Sequence, residues 1–239
     1  MKKIAHRGAS GAFPENTRLA FKKAIAAGAD MIELDCQLSR DGHVMIFHDE
    51  KLRRTAGARG ALRDRTLAQL KQLDIGKWRG KAFTGERMLT LEEALETAGG
   101  DVDLCLEFKS FGAAAPGLEL KALFILSHYD YLERTILSSF DYGCLGRLRE
   151  LAPEAILGVN YRAGIDDDPF QVAEQLGARS MHVQKELASR LLLGRAWDIG
   201  LDVYVWTVND LRDMQGFAGL GVQGLISDYP EKFCHLRSG

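Results

Sequence analysis

The chain has 239 residues, 46% of them hydrophobic and 27% charged, with a formal net charge of -2. That length suits one α/β barrel with a sizeable core, so residues 1–239 are expected to form a single domain. Near-neutrality argues against a nucleic-acid partner, and the lack of any apolar stretch of about 18 residues argues against stable membrane insertion.

Lys3-Ile4-Ala5 reads as a short strand ending at His6-Arg7-Gly8. Gly11, Pro14 and Asn16 then break regularity before Thr17 and an amphipathic run from Leu19 to Ala27, giving a strand, a loop and a helix. The next strand, Met31 to Gln37, carries Glu33 and Asp35 two residues apart. Strand side chains alternate, so both carboxylates leave the same face and make half of a metal site. Asp41-Gly42 is typical of a two-residue hairpin turn, with Val44 to Phe47 as the returning strand. With that pair in the turn, Arg40 faces His43, Ser39 faces Val44 and Asp35 faces His48, which brings an imidazole beside the carboxylates.

Residues 51–89 read as a basic, turn-rich insertion with one short helix after Thr66. From Lys51 to Arg87 there are eleven Lys or Arg against three Asp or Glu, a local +8 that leaves -10 for the remainder. Such a stretch is either a solvated face or a device that draws an anionic substrate or lipid surface to one side. Thr90 and Glu93 then form a capping box for a helix from Leu91 to Ala98. Strand-like runs follow at residues 103–108, 135–140, 155–160, 180–183, 202–208 and 222–227. Helical segments separate them around residues 118–126, 142–151, 169–176, 186–199 and 211–220.

With the hairpin arm set aside, eight strands alternate with helices, the number that closes a (β/α)8 TIM barrel. A doubly wound open sheet, the rival, would place its site at one crevice where strand order reverses. Here His6, Glu33, Asp35, Glu107, Lys109, Phe140 and Trp206 all fall at or near C-terminal strand ends, where barrels build their sites. Cys36, Cys105, Cys144 and Cys234 contain no CxxC pair, and the first two lie in apolar strands, which suits reduced thiols in a cytoplasmic protein. Met1-Lys2-Lys3 lacks the apolar run of a signal peptide, so the protein is expected to be soluble and unexported.

Glu107 and Lys109 repeat the two-apart pattern on an apolar strand, and an acid and a base there belong at the barrel mouth rather than against outer helices. Glu33, Asp35 and Glu107 offer three oxygen donors, which suits a hard cation, Mg²⁺ or Ca²⁺, better than zinc. His6 and His48 come from different strands and flank that cation. With neutral histidines, the three carboxylates, a divalent ion, Arg7, Lys109 and a singly charged phosphodiester sum to zero. Without the ion the occupied site would hold -2, costly in a partly desolvated pocket. Arginine, lysine and a metal stabilise charge on phosphoryl oxygens, while two histidines supply a general base and a general acid. The alternative for this set is a buried salt-bridge network closing the barrel, which has no need of two histidines.

His6-Arg7-Gly8 with Pro14-Glu15-Asn16-Thr17, Glu33-x-Asp35, His48-Asp49, Glu107-x-Lys109, Ser138-Ser139-Phe140, Val205-Trp206-Thr207-Val208-Asn209 and Gly224-Leu225-Ile226-Ser227-Asp228-Tyr229-Pro230 together resemble the glycerophosphodiester phosphodiesterase family, in order and nearly end to end. The resemblance implies a (β/α)8 barrel that hydrolyses glycerophosphodiesters, such as glycerophosphocholine or glycerophosphoethanolamine, to an alcohol and sn-glycerol 3-phosphate. It implies that His6 and His48 are the acid/base pair and that Glu33, Asp35 and Glu107 hold the metal. Arg7 and Lys109 would grip the phosphate, and residues 51–89 would be a small insertion capping the barrel mouth. It further suggests that the glycerol hydroxyl beside the phosphate attacks first to give a cyclic phosphate, with direct water attack as the other route. Phe108 and Ser227 depart from the family's commoner residues without touching this chemistry.

Trp206 and Phe140 are core aromatics by default; the resemblance makes them walls for the glycerol or headgroup. Glu15 and Asn16 are expected behind the reacting groups, holding the first loop and starting its helix. His182 and Gln184 are placed to line the pocket, with His182 equally readable as a satisfied core histidine. His43, His128 and His235 read as turn, helix-surface and tail residues, and Asp166-Asp167-Asp168 before Pro169 as a helix opening. Two other functions compete with the phosphodiesterase. One is a lysophospholipase D or sphingomyelinase D-like lipid phosphodiesterase docking through the basic segment. The other is a non-enzymatic glycerophosphate-binding module, which would need no proton-transfer pair.

Overall fold

The computed structural model describes residues 1–111 and 117–236. Its strands are β1 (Lys2–His6), β2 (Met31–Leu38), β3 (Val44–Ile46), β4 (Leu89–Thr90), β5 (Asp103–Phe108), β6 (Thr135–Ser139), β7 (Ile156–Tyr161), β8 (Ser180–Gln184), β9 (Asp202–Trp206) and β10 (Gly224–Ser227). All except β3 and β4 are parallel, and they run β1-β10-β9-β8-β7-β6-β5-β2 with β1 pairing β2 to close the ring, a (β/α)8 barrel as expected. The helices are α1 (Arg18–Ala26), α2 (Arg53–Ala56), α3 (Leu67–Lys71), α4 (Leu91–Ala98), α5 (Leu118–His128), α6 (Tyr142–Leu151), α7 (Pro169–Leu176), α8 (Arg190–Asp198) and α9 (Leu211–Leu220).

Alternation along the strands builds two cores. Ala5, Ile32, Leu34, Leu106, Leu157 and Val203 belong to the large apolar layer that includes the buried helix residues Phe21, Ala24 and Leu95. Ile4, Met31, Cys105, Ile136, Tyr204 and Ile226, on the opposite strand faces, form a separate cluster that fills the barrel axis. Two or four residues further along the same inward faces come His6, Glu33, Asp35, Glu107, Ser138 and Trp206, with Asn160 and His182 paired beside them on β7 and β8. The strand period therefore stacks a polar layer on an apolar plug at the C-terminal mouth.

Helix starts follow side-chain chemistry. The Thr17 hydroxyl accepts from the Ala20 amide, Thr90 and Glu93 form the expected box on α4, and Asp168 accepts from the Phe170 amide to open α7 ahead of Pro169. Each such cap contributes about 1 kcal/mol. The expected helix over 186–199 instead splits into a 3-10 turn at Lys185–Leu187 and α8, because Ser189 caps the Leu192 amide and fixes a later start.

The hairpin register is one residue away from expectation. Cys36 faces Ile46 and Leu38 faces Val44, Ser39 N donates to His43 O at 2.9 Å, and Gly42 N donates to Ser39 O at 3.0 Å. The turn thus has three residues, Arg40-Asp41-Gly42, ending in a glycine bulge with φ of 81°. Asp35 accordingly meets Phe47, whose amide donates to Asp35 O at 2.8 Å, and not His48. Asp41 is drawn out of a tight turn by other partners, the Ser39 hydroxyl at 2.7 Å and the Leu67 amide at 2.9 Å.

β2 serves two neighbours along one edge: Met31 to Glu33 lie within the barrel beside β1, while Cys36 to Leu38 rise above it and pair β3. β3 in turn pairs β4, so the ends of the 51–89 segment are tied to the hairpin. Leu52, Leu62, Leu70, Ile75 and Met88 bury themselves with Met45 and Phe47 in a small core of their own. α2 was not anticipated, since Arg53-Arg54-Thr55-Ala56 is too short to show an apolar period. Among the described residues no helix is long and apolar enough to cross a membrane.

Candidate active site

At the end of β1 the chain turns through two left-handed residues, Arg7 with φ of 56° and Gly8 with φ of 81°. Gly8 lies so close to α1 that a Cβ there would sit 2.7 Å from the Ala20 carbonyl carbon. This turn aims the Arg7 backbone at Glu33, whose carbonyl accepts the Arg7 amide at 2.8 Å and whose Oε2 lies 3.1 Å from it. The Arg7 guanidinium reaches Glu15 Oε1 at 3.0 Å through Nη1 and Asp35 Oδ2 at 3.2 Å through Nε. Gly8→Ala should therefore destabilise the fold by more than about 1 kcal/mol, read as a lowered urea midpoint with unchanged slope.

Glu33, Asp35 and Glu107 each present a carboxylate oxygen within 4.8 Å of the others, and this is the one such acid cluster among the described residues. β2 and β5 are paired with Asp35 opposite Glu107, so register alone brings the third acid to the first two. Asp35 is 1% exposed and is held by Asn16 Nδ2 at 2.9 Å, by Arg7, and by Lys109 Nζ at 3.5 Å from Oδ1. Lys109 also bonds Glu107. Burial alone would raise the Asp35 carboxyl, but Arg7 and Lys109 overcome it and hold the group well below the usual carboxylate range. At Glu33 the pull of Arg7 and Lys109 is too weak to compensate: burial first, then Asp35 and Glu107, push its carboxyl well above that range. Asp35 Oδ1, buried and accepting no hydrogen bond, faces a neighbourhood of hard oxygen donors. An orphaned carboxylate oxygen among crowded acids fits a divalent cation.

Each of the two histidines carries a carboxylate on its Nδ1 side. His6 Nδ1 lies 2.6 Å from Asp228 Oδ1, and its Nε2 is 3.9 Å from Glu33 Oε2. Asp228 also accepts from the Ser10 hydroxyl at 3.0 Å and Asn209 Nδ2 at 2.6 Å. Burial works against ionised Asp228, yet His6 first, then Asn209 and Ser10, bring it down to about 2. His48 Nδ1 lies 2.7 Å from Asp49 Oδ1, and burial, outweighing the pull of Asp35, lowers the His48 imidazole below its ordinary value. A carboxylate at Nδ1 fixes the tautomer with hydrogen there and leaves Nε2 free for the cavity. Asp49, Asp228, Asn209 and Arg54 escaped the sequence reading as site residues. Asp49, Asn209 and Asp228 stood inside the quoted motifs, but His6 and Asp228 are 222 positions apart and nothing in a single sequence pairs them.

His6, Arg7, Glu33, His48, Glu107 and Lys109 line one cavity of about 370 Å³. Phe140 and Trp206 form another part of its wall, ring edge to ring face at 5.6 Å and 78°. Trp206 Nε1 donates to the His182 carbonyl at 2.9 Å, which fixes the indole. His182 lines the cavity and is also a satisfied core residue, bonded to Ser180 Oγ at 2.9 Å and stacked on Tyr204, with burial lowering it to about 3. Gln184 accepts from the Ala163 amide instead of facing the acids. Glu15 stands behind Arg7 and Asn16 behind Asp35. A larger hollow of about 680 Å³ at the opposite barrel end has Arg134 and Arg179 paired to Asp103 and Asp202, and it holds neither an acid triad nor an imidazole.

Residues 6–232 match the Glycerophosphoryl diester phosphodiesterase family. A glycerophosphodiester phosphodiesterase of Caldanaerobacter subterraneus is 39% identical, over 98% of this chain and 96% of the relative. Another from Bacillus altitudinis is 32% identical, over 99% and 98%. Among solved structures, an Oleispira antarctica phosphodiesterase in complex with the product sn-glycerol-3-phosphate superposes with a TM-score of 0.88 at 33% identity, covering 97% of this chain and 94% of that one. The match spans both histidines, the acid triad and the loop bearing Asp228, so this chain belongs to the glycerophosphodiester phosphodiesterase family.

Proposed function

We propose that this chain is a metal-dependent hydrolase that cleaves glycerophosphodiesters to an alcohol and sn-glycerol 3-phosphate, with His6 and His48 as its acid/base pair. The observation that carries this is a cavity lined by two imidazoles, each backed by a carboxylate, and by Glu33 and Glu107, with the orphaned oxygen of buried Asp35 completing the acid triad beside them. Product bound in the Oleispira antarctica relative supports the substrate class. Residues 1–239 act as one catalytic unit with 51–89 as its cap.

Arg7 and Lys109 grip the phosphate, positioned by the acids that pair them. A cation held by Glu33, Asp35 and Glu107, Mg²⁺ or Ca²⁺, supplies Lewis-acid polarisation of a phosphoryl oxygen when bound. His48, kept neutral by burial, takes the proton of the attacking oxygen at Nε2, whether that oxygen belongs to the glycerol's neighbouring hydroxyl or to water. His6, with Asp228 at Nδ1, gives a proton to the departing alkoxide. Phe140 and Trp206 offer the apolar wall along which a glycerol or headgroup carbon chain lies. Four free cysteines, three of them buried, support a reducing, cytoplasmic setting.

The test is a panel of glycerophosphodiesters and lysophospholipids assayed for released glycerol 3-phosphate after EDTA treatment and after Mg²⁺ or Ca²⁺ is restored. Release from glycerophosphodiesters that stops with EDTA and returns with one cation is expected. Turnover of lysophospholipid alone would replace the reading with a lipid phosphodiesterase.

A further inference from the structure

We propose that Arg54, a residue of the cap, is a positioning residue for the reaction, its guanidinium clamping Asp49 to Glu15 and so fixing the His48 imidazole relative to Arg7. This rests on the hydrolase reading above. Arg54 Nε and Nη2 reach Asp49 Oδ2 and Oδ1 at 2.6 and 2.9 Å. Its Nη1 and Nη2 reach Glu15 Oε2 and Oε1 at 2.6 and 2.7 Å. Each acid also holds a site residue through the same oxygen that Arg54 Nη2 reaches, Asp49 Oδ1 with His48 Nδ1 at 2.7 Å and Glu15 Oε1 with Arg7 Nη1 at 3.0 Å. The result is a chain of alternating charge, Arg7, Glu15, Arg54, Asp49, His48, that runs from the phosphate-gripping residue to the proposed base.

An exposed ion pair contributes little, because water competes for both partners. Arg54 differs in two ways. Glu15 and Asp49 side chains are only 12% and 23% exposed, and four short charge-assisted bonds converge on one planar fork, a geometry that an ammonium cannot reproduce. Both acids stay below the usual carboxylate range against their own burial, with Arg54 as the leading cause of the lowering in each. The guanidinium is itself seated by the cap, 5.8 Å from the Trp78 ring. Without it Glu15 keeps only Arg7 and Asp49 keeps only His48, so nothing joins the two acids and Asp49 is free to turn away and take His48 with it. Arg7 remains tied to Asp35, and Lys109 to Asp35 and Glu107, so ground-state binding of the phosphate is preserved.

Arg54→Ala should lower kcat about ten- to a hundredfold, the usual loss when a residue orienting a reacting group is removed. KM and divalent-cation affinity should stay within about threefold, since uniform binding is untouched. Added guanidinium ion should restore part of kcat, and Arg54→Lys should fall between Arg54→Ala and the parent. In a double-mutant cycle, Arg54→Ala combined with Asp49→Asn should cost little more than the larger single loss. Arg53→Ala, one residue earlier on α2, should leave kcat unchanged. Equal kcat in Arg54→Ala and the parent, strictly additive losses with Asp49→Asn, or a loss that follows a lowered unfolding midpoint and ignores guanidinium would overturn the proposal. A parent enzyme that releases no glycerol 3-phosphate from any diester would instead remove the hydrolase reading beneath it.

Discussion

His6→Ala and His48→Ala should each reduce kcat on a glycerophosphodiester by at least about 10², the loss typical of removing a positioned proton donor or acceptor. Cation affinity, measured by titration calorimetry, should barely change, because neither imidazole belongs to the carboxylate triad. The two variants should differ in their pH profiles. Burial keeps His48 neutral below the ordinary imidazole range, so the acidic limb of kcat/KM in the parent should lie below about pH 6.5, and His48→Ala should abolish that limb. His6→Ala should keep it. With a substrate whose leaving group needs no proton, such as a nitrophenyl ester, His6→Ala should recover much of its lost rate while His48→Ala should not. Equal recovery of both variants would reverse or remove the acid and base assignments.

The sequence made the barrel legible because its strands follow a period of two with few exceptions. Most inward polar residues at the mouth, His6, Glu33, Asp35, Glu107 and Ser138 among them, sit two or four positions beyond an inward apolar one on their own strand, so fold and site are one pattern. What stayed hidden depended on geometry that no local pattern encodes. The hairpin register slipped by one because Gly42 occupies a bulge, and Asp41 serves Ser39 and Leu67. His48 still reaches the cavity, but beyond the end of β3 and not opposite Asp35. Arg54 looked like one of eleven cations in a basic stretch, and only its two acid partners, one from the first loop and one from the hairpin, set it apart. Asp228 and Asn209 come together with His6 because β10 closes the barrel against β1, a consequence of topology alone.

Glu33→Gln should weaken divalent-cation affinity by at least about a hundredfold while leaving the fold nearly intact, and part of the lost activity should return at high cation concentration. It is a cleaner test of the metal site than Asp35→Asn. Asp35 is the acid that Arg7 and Lys109 both engage, so neutralising it takes one of two carboxylate partners from each of these buried cations and costs stability for a separate reason. Glu33 has no such side-chain cation, and its raised carboxyl makes a second prediction. The metal-free site holds a proton there which a cation must displace, so cation affinity should climb with pH through that raised range, by up to about tenfold per pH unit. Glu33→Gln should flatten the climb. The same proton has a consequence for stability in EDTA. Glu33 binds it more tightly in the fold than in the unfolded chain, so that contribution is complete below the ordinary glutamate value and is lost as pH rises through the folded one. Asp35, depressed in the fold, works in the opposite direction, and its contribution fades only as pH falls. Metal-free protein should therefore lose stability on the alkaline side, added cation should restore it, and Glu33→Gln should lack the alkaline loss altogether. If the unfolding midpoint in EDTA is flat on that side, or added cation leaves it unmoved, the triad is a salt-bridge network closing the barrel and not a metal site.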